Sequence, residues 1–329
     1  MKILKWFLSL IVILIVAFVI FYFWSSGRTS SQTLFLIHET HENPTKLDST
    51  FTIMTYNVGY LSGMTNNQAT KSDKNFFTNN LHTLEQHLSD TLPDILCFQE
   101  IDYDSKRSYH INLHDTLTQL FYPWSVKAIN WDNKYVPFPY WPPRVHFGKV
   151  LSGQSIMSMW ELQEPMREVL EQVASNPFYY NAYYLDRLLV STVVKHPVQD
   201  FLLLNLHTEA FDTLTRNKQL TFVYERIKAE KTRQPLIIAG DFNATSESGE
   251  PGLQLFLQDS TLGCIAFHPN EPNYYTFSSE NPEERIDYIF YTKKDFEEIS
   301  GRVMTEYGEI SDHLPVMGKL KFRNQINKI

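Results

Sequence analysis

The hydrophobic positions of this 329-residue chain form one long apolar block near the N-terminus and many short blocks after it. The long block runs from Trp6 to Trp24 and is broken only by Ser9. A helix of about 20 apolar residues is long enough to cross the hydrocarbon core of a bilayer. The pattern therefore predicts a transmembrane anchor over residues 1–24, followed by a polar tether over residues 25–50 that is rich in Ser and Thr.

The charges that flank the apolar block indicate its orientation. Lys2 and Lys5 precede it and Arg28 follows it, which weakly favours a cytoplasmic N-terminus and places the rest of the chain on the other side of the membrane. A cleaved signal peptide is the alternative, but its apolar region should span only about 7–15 residues. Removal of residues 1–27 would give a secreted protein, and cleavage would use the small residues Ser25, Ser26 and Gly27.

Beyond residue 50 the apolar runs are short, and helical patterns are interspersed with them. Runs rich in Ile, Leu, Val, Phe or Tyr predict strands at 51–57, 94–99, 149–158, 185–195, 201–206, 236–240, 286–292 and 315–322. Helices are predicted at 74–90, 110–121, 161–174 and 213–232. No linker interrupts this part of the chain. Residues 51–323 are therefore predicted to form one α/β domain with a mixed sheet, followed by a tail at 324–329.

Composition narrows the range of partners. The formal net charge of −8 and the pI of about 5.8 argue against tight non-specific binding to nucleic acid, which usually needs a basic surface. Cys97 and Cys264 are the two cysteines, and buried, reduced thiols are favoured over a disulfide. Without a Cys/His cluster, a structural zinc site is not expected.

Polar side chains cluster where six of the apolar runs begin or end. Strand ends are where a rigid scaffold presents reactive groups to a cleft. Together the clusters supply four carboxylates, two histidines and three asparagine amides, a set that suits phosphoryl or acyl transfer at a hard metal ion. The residues are Asn57, Glu100, Asn205, His207, Asp241, Asn243, Asp287, Asp312 and His313.

Phosphoester hydrolysis needs a cation, a base and hydrogen-bond donors, and these residue types can supply all three. Glu100 and Asp312, with Asn57 beside them, offer oxygen ligands of the kind that Mg²⁺ prefers. A histidine titrates near neutral pH and deprotonates water best when a carboxylate orients its ring, so Asp287 and His313 form the natural pair. Donors to the developing charge on the phosphoryl group are available from Asn205, Asn243 and His207.

In this order, the motifs resemble those of the endonuclease/exonuclease/phosphatase superfamily. That superfamily includes deoxyribonuclease I, the abasic-site endonucleases, inositol-polyphosphate 5-phosphatases and neutral sphingomyelinases. The resemblance covers residues 51–322, nearly all of the chain beyond the tether. GDFN and SDHLPV at this spacing are together a strong signal, whereas either alone would be weak. The other matching motifs are MTYNV, CFQE, NLH and RIDYIF.

The resemblance implies a deoxyribonuclease I-like α/β fold, a four-layer sandwich of two mixed β-sheets with helices on both outer faces. It also implies an essential Mg²⁺, with Mn²⁺ as a substitute. By resemblance, Glu100 would be the main metal ligand, helped by Asn57 and Asp312, and Asp287 would orient His313.

The other roles are also carried over by resemblance. Asp241 would align or deprotonate the attacking water, and Asn243 would hold the phosphate or the metal. His207 would contact the phosphoryl oxygens or protonate the leaving group. Accounts of the superfamily differ on whether the base corresponds to Asp241 or to His313, and the sequence leaves this open.

Two positions depart from the family pattern. Some nucleases of the superfamily carry an acidic residue two positions after the first Asn, where this chain has Gly59, so a second metal ligand is in doubt. Many members also have Leu after the N-x-H motif, where this chain has Thr208. The second change is mild, because that side chain should point away from the site.

Residues 121–147 contain nine aromatic side chains and several prolines, which predicts an irregular segment. A packed loop over a sheet edge and a substrate lid or membrane-contacting lip are equally good interpretations. Arg144 in this segment and Arg187 are candidates for phosphate binding, although Arg187 could equally be a structural ion-pair partner. His110 and His114 are predicted to lie on the solvated face of a helix.

Three functions compete at this point. The favoured one is a phosphodiester or phosphomonoester hydrolase acting outside the cytoplasmic membrane, with a phospholipid headgroup slightly favoured as substrate and no obligate protein partner inferred. An exported nuclease for DNA or RNA would need a basic groove beside the metal. A catalytically dead binding module is disfavoured, since the metal-binding and histidine positions are all retained.

Overall fold

The computed structural model describes residues 2–39, 48–268 and 274–323. Helix α1 spans Lys2–Ser25, and its 24 residues are long and apolar enough to cross a membrane. The rest of the described chain forms two β-sheets that pack face to face. The tail at 324–329 and residues 40–47 of the predicted tether lie outside the described residues.

The larger sheet has seven strands, and only the neighbours β2 (Thr50–Asn57) and β3 (Ile95–Asp102) run parallel in it. The short first strand of the chain, Leu34–His38, pairs antiparallel with Trp124–Val136 at the sheet edge. In spatial order the strands are β1 (Leu34–His38), β4 (Trp124–Val136), β5 (Gly148–Ser158), β3 (Ile95–Asp102), β2 (Thr50–Asn57), β13 (Val316–Phe322) and β12 (Phe296–Val303).

The smaller sheet has six strands, and its one parallel pair consists of β8 (Phe201–His207) and β9 (Leu236–Asp241). Because each sheet mixes parallel and antiparallel neighbours, polar residues at several strand ends can meet on one edge. In spatial order the strands are β10 (Leu262–Cys264), β11 (Asp287–Thr292), β9 (Leu236–Asp241), β8 (Phe201–His207), β7 (Leu188–Val194) and β6 (Leu162–Val169).

Helices cover the outer faces of both sheets. Helices α2 (Lys74–Thr91) and α3 (Leu113–Phe121) share a buried apolar cluster with the seven-stranded sheet. Helices α5 (Thr213–Glu230) and α6 (Pro251–Leu257) share another with the six-stranded sheet. A short helix, α4, spans Phe178–Asn181. This arrangement confirms the four-layer sandwich with helices on both outer faces.

The core between the sheets is aromatic. Phe51 of one sheet stacks on Phe201 of the other with ring centroids 5.4 Å apart, and Phe296 and Phe322 close the group. Cys97 is buried in the same cluster, and both cysteines are free thiols, as the sequence predicts. This packing holds the two sheets in a fixed relation, so side chains at their ends keep fixed separations.

Two segments differ from their sequence-based expectation. The predicted helix at 161–174 is wrong, because Leu162–Val169 forms the edge strand β6. Pro165 is tolerated there because an edge strand can leave one side of its backbone unpaired, and the β6–β7 register shifts beside it. The irregular segment predicted at 121–147 contains the 13-residue strand β4, and its prolines cluster after that strand ends.

The prediction that His110 and His114 share a solvated helix face is also wrong. Helix α3 begins after Asn112, whose side chain caps it, so His110 precedes the helix and bonds Asp104 instead. His114 is fully buried, and its two ring nitrogens lie 2.8 Å from Ser155 Oγ and 3.1 Å from Ser125 Oγ. Burial lowers the pKa of His114 to about 3.

We predict that this buried histidine makes the fold acid-sensitive. The folded pKa of His114 lies below its ordinary value of 6.5, so the unfolded chain binds more protons between pH 6.5 and about 3. The free energy of unfolding should therefore fall by about 1.4 kcal/mol per pH unit below 6.5 on account of this residue. Denaturant titrations of the full chain in detergent at several pH values measure this slope.

His114→Gln should reduce the slope, because glutamine does not titrate in this range. His82, which is exposed on α2, provides the matched control, and His82→Gln should leave the slope unchanged. Equal slopes in the wild type and His114→Gln would contradict the prediction.

Candidate active site

Strand ends from both sheets converge on one edge of the sandwich. In the six-stranded sheet, Asp241 ends β9 and is in register with both His207 at the end of β8 and Asp287 at the start of β11. In the seven-stranded sheet, Asn57 ends β2, and His313 lies shortly before β13. The structure therefore brings together residues that are up to 256 positions apart in sequence.

Local backbone irregularities aim two further side chains at this edge. The β3–β5 register shifts between Phe98 and Ile101, and inside this bulge Glu100 adopts a φ of +49°. Asn243, just after β9, has a φ of +48°. Such left-handed conformations are costly for residues other than glycine and concentrate at functional sites. A bulge re-aims a side chain out of the regular alternation, which is how Glu100 turns toward the site.

His313 lies between two carboxylates at the centre of the cluster. Its Nδ1 is 2.9 Å from Asp287 Oδ2, and its Nε2 is 3.9 Å from Asp241 Oδ2. Asn57 Nδ2 donates to Asp241 Oδ2 over 2.9 Å and lies 3.3 Å from His313 Nε2. The Asp287 bond fixes the orientation of the imidazole, which leaves Nε2 facing Asp241.

Burial and the two carboxylates shift the pKa values of this group. Burial alone would lower the pKa of His313, but Asp287 and then Asp241 outweigh it and raise that pKa well above 6.5. Burial raises the pKa of Asp241 to about 7, although the charge on His313 opposes the rise. Together these two groups can hold and release a proton near neutral pH.

A second pair of carboxylates lies beside this group. Asn66 Nδ2 donates to Glu100 Oε2 over 2.9 Å and lies 3.3 Å from Asp312 Oδ2, so one amide bridges both acids. Burial first, and then the charge of Asp312, raises the pKa of Glu100. Two like charges held together out of water favour a cation between them, and the donors are all oxygens. This pair fits a hard divalent ion.

The hydrogen bonds of Asn57 bear on its predicted role as a metal ligand. Its Oδ1 accepts from the backbone N–H of Gly59 over 3.1 Å, while its Nδ2 contacts Asp241 and His313. A Cβ on Gly59 would lie 2.8 Å from both Asp312 Oδ1 and Ser311 Oγ. The glycine that departs from the family pattern therefore lies directly against the carboxylate pair, where a larger side chain would crowd Asp312.

Among the described residues, Asp241, Asp287 and His313 also lie close enough to share an ion, with ligand atoms within 4.8 Å of one another. This group suits Mg²⁺ less well. One of its ligand atoms is a nitrogen, and the imidazole is already hydrogen-bonded to Asp287. The pair of Glu100 and Asp312 is therefore the better fit to a magnesium ion.

A network of buried charges supports His207. Arg187 Nη1 lies 2.6 Å from His207 Nε2, and the same guanidinium bonds Glu209 and Tyr184. Burial, the charge of Arg187 and then that of His313 lower the pKa of His207 well below 6.5. His207 is therefore neutral, with Nε2 accepting from Arg187. Its Nε2 also lies 3.5 Å from Asp241 Oδ2.

The other three site residues predicted from the sequence, Asn243, Asn205 and Arg144, lie in different environments. Asn243 donates through its backbone N–H to Asp241 Oδ1 over 2.8 Å and through Nδ2 to Asp241 Oδ2 over 3.1 Å. Asn205 is fully buried between the sheets, where its amide bonds Gln99 and the backbone oxygens of Phe98 and Ser155. Arg144 is exposed, and no contact among the described residues joins it to the cluster.

Sequence reasoning missed Asn66, Tyr184 and Glu209. Asn66 lies in a polar loop without a motif, and Tyr184 and Glu209 matter only through Arg187. The one available signal was the unusual NN pair at 66–67 shortly after the first motif, which by itself indicates a turn.

We predict that His313 stays protonated well above pH 6.5 in the metal-free protein, because Asp287 and Asp241 stabilise its charge. NMR titration of the imidazole signals in EDTA-treated protein measures this pKa. Asp287→Asn should lower it, whereas Asp212→Asn, at the cap of α5, should not. A His313 pKa at or below 6.5 in the wild type would contradict the geometry.

Comparison of folds places this arrangement among known proteins. An endonuclease/exonuclease/phosphatase from Beutenbergia cavernae is 19% identical, with a TM-score of 0.61 over 84% of this chain and 72% of that protein. The human nocturnin catalytic domain with bound sulfate is 16% identical, with a TM-score of 0.55 over 88% and 97% of the two chains. At this identity the likeness shows a shared fold.

A mannosyl-6-phosphatase from Bacteroides thetaiotaomicron has the same fold, with 17% identity and a TM-score of 0.56 over 83% of this chain and all of that one. No curated protein matches by sequence. The Endonuclease/Exonuclease/phosphatase family model matches residues 54–313, which include every residue of the cluster from Asn57 to His313. The chain therefore belongs to the Endonuclease/Exonuclease/phosphatase family, whose members hydrolyse phosphoester bonds with the help of divalent metal ions.

Proposed function

We propose that this protein is a membrane-anchored, Mg²⁺-dependent phosphoesterase that hydrolyses its substrate with an activated water. One observation carries the proposal: the Asp287–His313–Asp241 group lies directly beside the Glu100–Asp312 pair at the junction of the two sheets. A proton-transfer group next to a cation site is the combination that phosphoester hydrolysis needs.

Glu100 and Asp312 would hold the ion, and Asn66 would position them. When bound, Mg²⁺ neutralises charge on the phosphate oxygens. Asn66 bridges both carboxylates, and Asn57 donates to Asp241, so a side-chain amide orders each part of the site. The Oδ1 of Asn57 accepts from the N–H of Gly59, and its second lone pair would let it join the ligand set.

We propose that Asp241 accepts the proton of the attacking water. Its pKa of about 7 places it near the optimum for a general base at neutral pH. His313, charged through Asp287, would then stabilise the negative charge of the phosphoryl group. The backbone N–H and amide of Asn243 hold both oxygens of Asp241 in place.

The neutral state of His207 favours a contact role over that of an acid. Its Nε2 accepts from Arg187, so a proton for the leaving group is not available at that atom. Arg187 is buried beside Glu100 and His207, where its fixed positive charge favours an anionic substrate. We propose that Arg187 acts on the phosphoryl group through its charge and through His207.

The substrate class is proposed as a phospholipid headgroup. The apolar helix α1 supports an enzyme held at a membrane, with its catalytic domain on the non-cytoplasmic side. The net charge of −8 disfavours long nucleic acid. A nuclease activity remains the second candidate because the family includes nucleases, and the assay below separates the two.

We predict that the full chain in detergent hydrolyses a phosphodiester in a Mg²⁺-dependent, EDTA-sensitive reaction. Bis-p-nitrophenyl phosphate, sphingomyelin and plasmid DNA serve as parallel substrates. His313→Ala should lower kcat by about 10²- to 10³-fold, the range expected for loss of one group that stabilises developing negative charge. His110→Ala changes an exposed histidine outside the cluster and should leave kcat unchanged.

The pattern across substrates decides between the candidates. Turnover of sphingomyelin above DNA would support the lipid headgroup, and turnover of DNA alone would favour the nuclease. If His313→Ala retains full activity on the preferred substrate, the proposed roles of the cluster are refuted. Absence of turnover on all three together with absence of Mg²⁺ binding would favour a binding module.

A further inference from the structure

The end of helix α1 is built into the catalytic domain. Ser25 Oγ lies 2.6 Å from Tyr183 Oη. Asn133 Nδ2 donates to the backbone oxygen of Ser26 over 3.1 Å, and Lys134 N donates to that of Gly27 over 2.9 Å. These bonds attach the helix end directly to strand β4 and to the segment after α4.

The residues that follow are attached as well. The carboxylate of Asp132 accepts from the backbone N–H groups of Thr29 and Ser30 over 2.8 and 2.9 Å, and from Thr29 Oγ1 over 2.7 Å. Strand β1 then joins the sheet beside β4. The helix therefore leaves the domain at a fixed place and without a flexible spacer, although residues 25–50 read as a tether in the sequence.

Aromatic rings surround the exit point of the helix. The ring centroids of Phe21 and Trp24 lie 5.9 and 6.3 Å from the ring centroid of Tyr135. Tyr22 lies 6.3 Å from Phe178 in an edge-to-face contact. The last turns of α1 are thus packed on two sides by aromatic side chains of the domain.

Four large aromatic side chains next to these contacts are exposed. Trp141 is 78% exposed and Phe178 77%, and Tyr140 and Tyr179 are 67% and 57% exposed. We call these four residues the aromatic collar. His146 ties one half of the collar to the helix end, because its two ring nitrogens contact Tyr135 Oη at 2.8 Å and the backbone oxygen of Tyr140 at 3.2 Å.

We propose that the aromatic collar is a membrane-contact surface that rests in the headgroup layer of the bilayer crossed by α1. The inference rests on the proposed membrane span. Exposed Trp, Tyr and Phe are unfavourable in water but favourable at the boundary between headgroups and hydrocarbon. The collar lies at the end of a helix whose apolar side chains are exposed along its length, so both surfaces meet the same bilayer.

The collar is also connected to the catalytic cluster. Tyr180, next to the collar, stacks on Tyr184 with ring centroids 5.4 Å apart. Tyr184 Oη bonds Glu209 and Arg187, and Arg187 contacts His207 in the site. Through this chain of contacts, seating of the collar in the bilayer would fix the orientation of the Arg187–His207 side of the cluster relative to the membrane.

Depth-dependent quenching in proteoliposomes tests the proposal without the need for catalysis. Trp141→Cys and Phe178→Cys, each labelled with an environment-sensitive fluorophore, are reconstituted in phosphatidylcholine vesicles that carry doxyl-labelled lipids. Burial raises the pKa of Cys264 to about 12 and that of Cys97 further, so the native thiols react slowly. Both labels should be quenched several-fold more than the control label.

Ile299→Cys is the matched control. Ile299 is 50% exposed on β12, at the edge of the seven-stranded sheet opposite to β1. Ile13→Cys, within α1, reports insertion of the helix itself. Labels at Trp141 and Phe178 that are quenched no more than the one at Ile299 would overturn the proposal.

The outcomes separate this inference from the proposed function. Quenching at Ile13 without quenching at the collar, with phosphodiester hydrolysis intact, removes the collar contact alone. An unquenched label at Ile13 removes the membrane span and the collar contact together. Loss of hydrolysis with a quenched collar would remove the catalytic proposal and leave the membrane contact in place.

Discussion

The site depends on hydrogen bonds that join the two sheets at one end of the sandwich. His313 belongs to the chain that enters the seven-stranded sheet, and its partner Asp287 begins a strand of the six-stranded sheet. Asn57 and Asp241 make a second link of this kind. Neither link can form unless the aromatic core between the sheets fixes their separation, so the chemistry follows from the packing of the sandwich.

The same junction concentrates charge out of water. Glu100, Asp241, Asp287 and Arg187 are all nearly buried, and His313 is charged among them. Isolated buried charges are costly, so this arrangement is stable only if opposite charges compensate one another. Arg187 and His313 compensate part of the negative charge, and a divalent cation at Glu100 and Asp312 would compensate the rest. Buried charged groups held close together in this way are typical of a functional site.

Much of this could be predicted from the sequence because the motifs lie at the ends of strongly apolar strands. Asn57, Asp241 and Asp287 were identified that way, and the structure brings them together. Asn205 shows the limit of the approach. It shares a strand face with the site residue His207, but it lies two residues further from the strand end, where its amide bonds Gln99 and backbone oxygens between the sheets.

Other features depended on tertiary contacts that local patterns do not record. Strand β6 was mistaken for a helix because its pattern of polar and apolar residues is ambiguous at a sheet edge, and only pairing with β7 decides it. His114 was expected in solvent, although the serines that bond it come from β4 and β5. The attachment of Thr29 and Ser30 could not be predicted from local patterns, because Asp132, whose carboxylate accepts their backbone N–H groups, lies over 100 positions away.

The central claim is that Glu100 and Asp312 hold the metal, while Asp241 accepts the proton beside a His313 that Asp287 keeps charged. Calorimetric titration of the EDTA-treated full chain with Mg²⁺ tests it most directly, with Glu100→Gln and Asp287→Asn compared side by side. The account predicts that binding is lost in Glu100→Gln and retained in Asp287→Asn. Binding that survives Glu100→Gln and disappears in Asp287→Asn would place the ion among Asp241, Asp287 and His313 and contradict the account.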